Sequence, residues 1–393
     1  MVATSRAMQL GEVIRFGNGK AIKPGGEGCY PVYGSNGIIG GCDEFRYENG
    51  VIIGRVGAYC GSVAYCPEKF WASDNTLVAF PASEQFDTKF LFYLLTDANL
   101  SRYAGGAAQP LVTQTVLKQV KVRVPPFPVQ RRIAGILSAY DELIENSQRR
   151  IRILEEMARA LYREWFVEFR FPGHEKVPLV DSPLGPIPKG WEVKRIADLC
   201  ESVSYGFTAS ATREEVGPKF LRITDIVPEI IDWDNVPYCE ISDNNVTKYL
   251  LLPGDIVIAR TGATTGYAKR INKRHPRTVF ASYLVRVRTK PGVSNRMLGL
   301  LMESVDYKQF VKANIGGAAQ PQANAVVLSS MPLVAPPPAL AQKFNELVES
   351  FLDEMEVLAE KSRTLRHARD LLLPRLLSGR LNPYVSVNSS DFS

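Results

Sequence analysis

Chemically versatile side chains are scarce in this 393-residue sequence. It has three histidines (His174, His275, His367) and six cysteines (Cys29, Cys42, Cys60, Cys66, Cys200, Cys239), none of them arranged as CxxC. Zinc sites are built from such residues clustered at short spacing, so no resident metal is expected. Free thiols in a reducing compartment are the default for these cysteines. No apolar run reaches the roughly 18 residues that a membrane span needs, and MVATSRAMQLGEV lacks the apolar core of a signal peptide. These absences predict a cytoplasmic chain with no membrane partner. Catalytic signatures are missing too: there is no GxxxxGK[ST], no HExxH and no GxSxG. The [ND]PP[YF] motif of amino-methyltransferases is absent, and DNVPY (234–238) and NPY (382–384) are loose echoes without a glycine-rich cofactor loop. The expectation is a chain with no catalysis of its own and no cofactor.

What is present is globular and repeated. Hydrophobic residues make up 45% of the chain, which suits folded domains, and its length accommodates two or three of them. The net charge of +6 permits an anionic partner without demanding one. The stretch AKRINKRHPR concentrates Lys269, Arg270, Lys273, Arg274 and Arg277 with no acid, and residues 361–380 carry six basic residues against Asp370. Either run fits a solvated face or a nucleic-acid contact.

The hexapeptide GGAAQP occurs at residues 105–110 and again at 316–321, an offset of 211. The same offset carries Pro125-Pro126 onto Pro336-Pro337, and the alternating Val120, Val122, Val124 onto Met331, Leu333, Ala335. Beyond the prolines, one copy places Ile133, Leu137, Tyr140, Ile144, Ser147, Ile151, Leu154, Ala158, Leu161 and Trp165 at alternating spacings of four and three. The other places Phe344, Val348, Phe351, Met355, Leu358, Ser362, Leu365, Arg369, Leu372 and Leu376 in the same way. That spacing averages 3.5 residues, the period of a coiled-coil seam. A helix of about 40 residues spans ~60 Å, longer than a small domain is wide. Proline within the helix removes a backbone donor, so Pro374 predicts an end or a kink near Leu373. Two such helices can pack antiparallel within one chain, with the inserts at opposite ends and a pseudo-twofold axis between the halves.

The segments ahead of the hexapeptides read as mixed α/β domains. Short β-branched runs are broken by Gly, Asn and Asp, and helical stretches cover roughly 88–100 and 295–312. Inside them, GRVGAYCG (54–61) and ARTGATTG (259–266) share R-x-G-A-x-x-G at an offset of 205. Leu10–Val13 aligns with residues 196–199 at 186. The frame is duplicated while the inserts differ. An arginine followed by a glycine-rich turn can face an anion. It can equally be a tight hairpin whose glycines supply positive φ. Both readings stay open here.

The order of parts resembles the specificity subunit of type I restriction–modification systems: domain, hexapeptide loop, Pro-Pro, long helix, then the same again. The resemblance covers nearly the whole chain. It rests also on SPLGPIPKGWE (182–192) before the second domain, YGSNGIIGG in the first, and the PP-x-x-x-Q turn at 125–130. Two places depart from the pattern. Ala341-Gln342 follows the second prolines, and Arg369 sits in the seam, which suggests that the seam is partly open to a partner or solvent. The implied fold is α+β: two mixed α/β target-recognition domains separated by two long antiparallel coiled-coil helices in a pseudo-twofold repeat. The implied divisions are residues 1–124 (first target-recognition domain), 125–181 (first long helix and linker), 182–335 (second domain), 336–380 (second long helix) and 381–393 (tail).

The implied function is non-catalytic reading of double-stranded DNA, each domain taking one half of a split, asymmetric target and the helices fixing the gap. The implied partners are two methyltransferase (modification) subunits held by the helical regions, together with restriction endonuclease subunits. S-adenosylmethionine, ATP and Mg²⁺ would belong to those partners. Candidate contacts are Lys269, Arg270, Lys273, Arg274 and Arg277 on phosphates, with Arg55 and Arg260 near the groove. Gln109 and Gln320 could reach a base edge or pack their loops against the helix start. Three rival readings remain: a DNA-binding regulator that recruits no enzyme, a coiled-coil scaffold without DNA readout, and an enzyme with an unrecognised carboxylate site.

Overall fold

The computed structural model describes residues 5–23, 28–106, 109–228, 230–315 and 322–384. Its contacts divide the chain into two compact units, Met1–Asn146 with Ser362–Ser393, and Ser147–Lys361. Among the described residues no helix is long and apolar enough to cross a membrane.

The first unit is built on a six-stranded sheet. Its order is Ile14–Asn18, Thr76–Pro81, Tyr47–Gly54, Val63–Ala72, Tyr30–Gly34, Gly37–Cys42. All pairs are antiparallel except Tyr30–Gly34 against Val63–Ala72. Side chains alternate between its faces, as a pleated strand requires. Val51, Ile53, Leu77 and Ala79 join one buried cluster, while Ile52 and Val78 join another with Tyr33 and Phe70. Helix Thr88–Asp97 covers the first face with Phe90, Leu91, Leu94 and Leu95, and Asp87 caps it by accepting from the Phe90 N–H at 2.8 Å.

The second unit repeats this frame. Strands Cys200–Tyr205, Leu284–Thr289, Ile256–Ala259 and Ala268–Arg270 form a sheet in that order, matching the first four strands of the other sheet one for one. Ile256 and Ile258 face one cluster; Val257 and Ala259 face another. Strand Arg6–Gln9 pairs antiparallel with Lys121–Val124, and Glu192–Arg195 pairs likewise with Pro332–Ala335. Helices Gln114–Lys118 and Ala325–Ser329 sit at the 211 offset, each with a side-chain cap from Thr113 or Asn324. The inserts differ. The first domain extends its sheet with the hairpin Tyr30–Cys42. The second adds the parallel pair Lys219–Leu221 and Thr278–Phe280, and splits its covering helix into Asn295–Glu303 and Val305–Ala313.

The long helices are Phe127–Phe166 and Pro338–Leu377, each 40 residues and offset by 211. They run antiparallel within each unit. In the second, Arg150 pairs with Glu354 at 2.5 Å, whereas Phe166 lies on Phe344 with ring centroids 4.7 Å apart. In the first, Arg132 donates to the Pro383 carbonyl and Arg369 pairs with Asp141 at 2.6 Å. No seam residue is exposed. Two expectations need correction. The second helix does not end at Leu373 but continues through Pro374 to Leu377. Pro374 falls in the final turn, so it costs one backbone hydrogen bond near a fraying end, while Leu372, Leu373, Leu376 and Leu377 are all buried in the core. Arg369 does not mark an open seam. Asp141 accepts from it and also from the Tyr93 hydroxyl at 2.5 Å. The positions 211 residues from Arg369 and Asp141, Ala158 and Leu352, both belong to the apolar core of the second unit.

Candidate nucleic-acid interface

The R-x-G-A-x-x-G turn has one conformation in both domains. Gly57 and Gly61 take φ of +76° and +86°, and Gly262 and Gly266 take +78° and +89°. The Gly61 N–H donates to the Gly54 carbonyl at 2.8 Å, and Gly266 donates to Ala259 at 2.8 Å. A Cβ on Gly61 would sit 2.3 Å from the Ser101 nitrogen, so the turn also needs close approach there. The Gly57 N–H is occupied by the Pro110 carbonyl at 3.1 Å. The glycines are therefore explained by hairpin geometry.

Each arginine is held at the same crossing of strands. The Arg55 N–H donates to the Asn75 carbonyl (2.9 Å), and its own carbonyl accepts from Val112 (3.0 Å). The Arg260 N–H donates to the Tyr283 carbonyl (3.0 Å), and its carbonyl accepts from Ala323 (2.8 Å). The next residues form bridges, Val56 with Leu111 and Thr261 with Gln322. The chain leaving each hexapeptide is thus stitched to the arginine turn, which brings together two motifs about 50 residues apart in sequence. In the first domain, Gly105 and Leu111 exchange both backbone hydrogen bonds at 2.9 Å, closing the loop that carries the exposed Gln109. Gln320, with the rest of the second hexapeptide, lies outside the described residues.

The two arginine side chains share a state that Arg286 and Arg296 also show. The Nε atoms of Arg55 and Arg260 are both buried and have no hydrogen-bond partner among the described residues. A buried donor left unmatched costs roughly 1–3 kcal/mol. Arg260 lies over the Tyr205 ring at 4.8 Å, and the Tyr205 oxygen accepts from the Ala325 N–H. In the first domain, the Gln114 side chain, at the position related to Ala325, donates to Asn18 instead. Beside the Arg55 turn, the tip of hairpin Tyr30–Cys42 frames a pocket of about 130 Å³ lined by Gly34, Ser35, Asn36, Gly37, Tyr59 and Ser62. Ser62 donates to the Ser35 carbonyl, and the Ser35 hydroxyl donates to that of Asn75.

The five-residue basic run does not form one surface. Lys273 pairs with Glu349 and with Asp353 at 3.2 Å, and its backbone N–H donates to Glu356. Arg274 donates to Glu360 at 2.7 Å, and Arg296 pairs with Glu349. These acids, at intervals of four, three and four, make one stripe on helix Pro338–Leu377. Arg270 is largely buried; burial pushes its pKa down, as does the charge of Arg296, and its backbone N–H donates to Glu303. Arg277 is exposed, and Lys269 is half-buried. Lys308 stands over the Tyr267 ring at 4.4 Å; burial lowers its pKa against the pull of Glu303, and the charges of Arg159 and Lys269 add to the lowering. Sequence reading missed Lys308, Tyr205, Tyr283 and Asn75. Among the described residues, no group of three His, Cys, Asp or Glu side chains could hold a metal.

The family described as type I restriction modification DNA specificity domain matches residues 4–156 and 188–364. The MjaIX type I restriction enzyme specificity subunit of Methanocaldococcus jannaschii is 26% identical over 305 residues, covering 75% of this chain and 69% of that protein. The HindI specificity subunit of Haemophilus influenzae is 20% identical over 379 residues, covering 80% and 82%. The crystal structure of a type I restriction–modification S subunit from M. genitalium has the same fold, with a TM-score of 0.61 at 14% identity over 95% of this chain and 96% of that one.

Proposed function

The chain belongs to the type I restriction–modification DNA specificity family, and we propose that it reads a bipartite DNA target through two pseudo-equivalent arginine turns, one in each domain. It is a DNA-recognition subunit, not a catalytic one. Its partners are double-stranded DNA and the methyltransferase and restriction subunits of the system, with two methyltransferase copies matching the two halves of the repeat. The target-recognition domains are residues 1–124 and 182–335, and the two long helices set the gap between half-sites. Readers on one face of B-DNA must be spaced by the ~34–36 Å turn or its multiples, which a rigid helical strut can fix. The complex works in the cytoplasm.

The observation that carries this reading is the duplicated arginine. In both domains the same turn holds an arginine at the same backbone crossing, beside the chain that leaves a hexapeptide. A phosphate or a guanine edge can pair with the terminal nitrogens of such a half-buried guanidinium through charge-assisted, bidentate bonds. Gln109 and Gln320 are base-edge candidates in the loops. Lys269 and Arg277 remain phosphate candidates, joined by Lys308. Lys273 and Arg274 instead fasten the second domain to its helix, because four carboxylates already pair with them and would repel phosphate, while Arg270 turns to the Ile271 carbonyl. The test is a genome-wide map of methylated bases in cells with and without this chain, with its methyltransferase partner present. A split motif of two unlike halves around a fixed gap, lost without the chain, supports the reading. A continuous motif, or one independent of the chain, removes it.

A further inference from the structure

If both arginines stand in the same place, they cannot tell one half-site from the other. Discrimination has to come from positions that the frame makes equivalent and the sequence makes different. Around each arginine the repeat relates Val56 to Thr261, Ala58 to Ala263, Tyr59 to Thr264, Asn75 to Tyr283 and Leu111 to Gln322. Ala58 and Ala263 are the same residue. Val56, Thr261, Thr264 and Leu111 are each half-buried. Asn75 and Tyr283 alone in this set are exposed in both domains and chemically unlike.

Their backbone placement is the same. Asn75 is the third residue of a four-residue turn closed by the Thr76 N–H donating to the Ser73 carbonyl at 3.0 Å. Tyr283 is the third residue of a turn closed by Leu284 donating to Ala281 at 2.9 Å. In each turn the carbonyl of that third residue accepts the arginine N–H, so the backbone carrying the exposed side chain is bonded directly to the backbone of the arginine. The Tyr283 side chain is among the more exposed large ones, at 59%. The turn is held independently of what the side chain does. Ser35 grips the Asn75 carbonyl in one domain, and the Ser282 N–H donates to Phe207 in the other.

We infer that Asn75 and Tyr283 are the half-site-discriminating residues of the two domains, acting beside Arg55 and Arg260 as the constant contacts. This rests on the DNA-reading function proposed above. Asn75 offers an amide donor and acceptor together, the pattern that matches the adenine edge in the major groove. Tyr283 offers a ring face and one hydroxyl, which with the neighbouring Arg260 and Tyr205 makes an aromatic–cationic reader of different preference.

The experiment uses the full chain with its methyltransferase partner and maps methylated motifs for wild type, Asn75→Ala and Tyr283→Ala. The expected result is that each variant relaxes one position of one half only, by roughly 5–150-fold in preference. The Asn75→Ala position should be an A·T pair, and the other half should stay intact. Relaxation at a G·C pair, an even loss across all sequences, or unchanged motifs from soluble variants would overturn the inference. A wild-type map with no split motif would instead remove the underlying reading, so the two failures are distinguishable. Asp74→Ala and Ser282→Ala, one residue earlier in each turn, separate side-chain readout from turn damage. Motifs unchanged in both support the inference; relaxation equal to that of the Asn75 or Tyr283 variants counts against it.

Discussion

Replacing Gln130 by alanine should loosen the first unit far more than an ordinary glutamine truncation would. Gln130 lies in the first turn of helix Phe127–Phe166 and is 1% exposed. Its Oε1 accepts from the Asp87 N–H at 3.0 Å, and its Nε2 donates to the carbonyls of Gln85 at 3.1 Å and Pro125 at 2.9 Å. Three hydrogen bonds at about 1 kcal/mol net each sum to about 3 kcal/mol. Truncation leaves one donor and two acceptors facing a small hole, so the cost does not fall below that sum by much. Asp87 is the cap of helix Thr88–Asp97, whose Phe90, Leu91, Leu94 and Leu95 fill the core. The damage should therefore spread to that helix. Urea unfolding of the variant, followed by hydrogen exchange at residues 90–95, measures both effects. The expected outcome is a loss of about 2–4 kcal/mol in the first unit, with faster exchange in that helix and no change in residues 295–313. The second copy holds Ala341 at the related position, and there Ser294, itself a cap, bonds to Asn345 instead. A loss under about 1 kcal/mol, or equal changes in both units, would refute the argument.

Three further outcomes follow from the geometry. Arg55→Ala or Arg260→Ala should weaken DNA binding and, where the contact is to phosphate, lower the slope of log K against log salt by about 1 in titrations of the assembled complex. The double change Lys273→Ala, Arg274→Ala should leave that slope unchanged and lower the stability of the second unit by about 0.5–2 kcal/mol in urea titration, since both side chains are half exposed and screened. Burial pushes the thiols of Cys200 and Cys239 up to about 11. The folded state keeps their protons while the unfolded chain releases them near its ordinary thiol pKa. Stability from these groups is thus complete below about pH 8.5 and drains away as pH rises towards 11. Unfolding of the second unit monitored across that range, together with slow thiol alkylation of the native protein at pH 8, checks it.

The parts of this fold that were legible in the sequence are those governed by local periodicity. Alternating spacings of four and three from Ile133 to Trp165 fixed which face of the helix is buried, because a 3.5-residue period admits one seam. The constant offset of 211 aligned the strands Lys121–Val124 and Pro332–Ala335 and the long helices that follow them. What escaped was decided by residues distant in sequence. The basic run at 269–277 read as a surface for an anion because its acids sit some 80 positions later, on a helix. Pro374 read as an end or a kink because Leu373 and Leu377, which join the seam residues Leu372 and Leu376 in the core, lie off the spacing pattern. Arg369 looked like a gap in the seam until Asp141 and Tyr93 were seen to meet it. Asn75 and Tyr283 gave no signal, since no sequence match links them at any of the three offsets; backbone hydrogen bonds relate them.

The division of the chain into units has a consequence for its synthesis. Residues 147–361 are contiguous, so everything the second unit needs emerges from the ribosome in one stretch. The first unit begins earlier but includes Leu372, Leu373, Leu376 and Leu377, which pack with Leu10, Val13 and Leu137. More than 200 residues separate Asn146 from that missing wall. At about 5–20 residues per second, the nascent first domain waits tens of seconds with part of its apolar face uncovered. The half made first is then the half completed last.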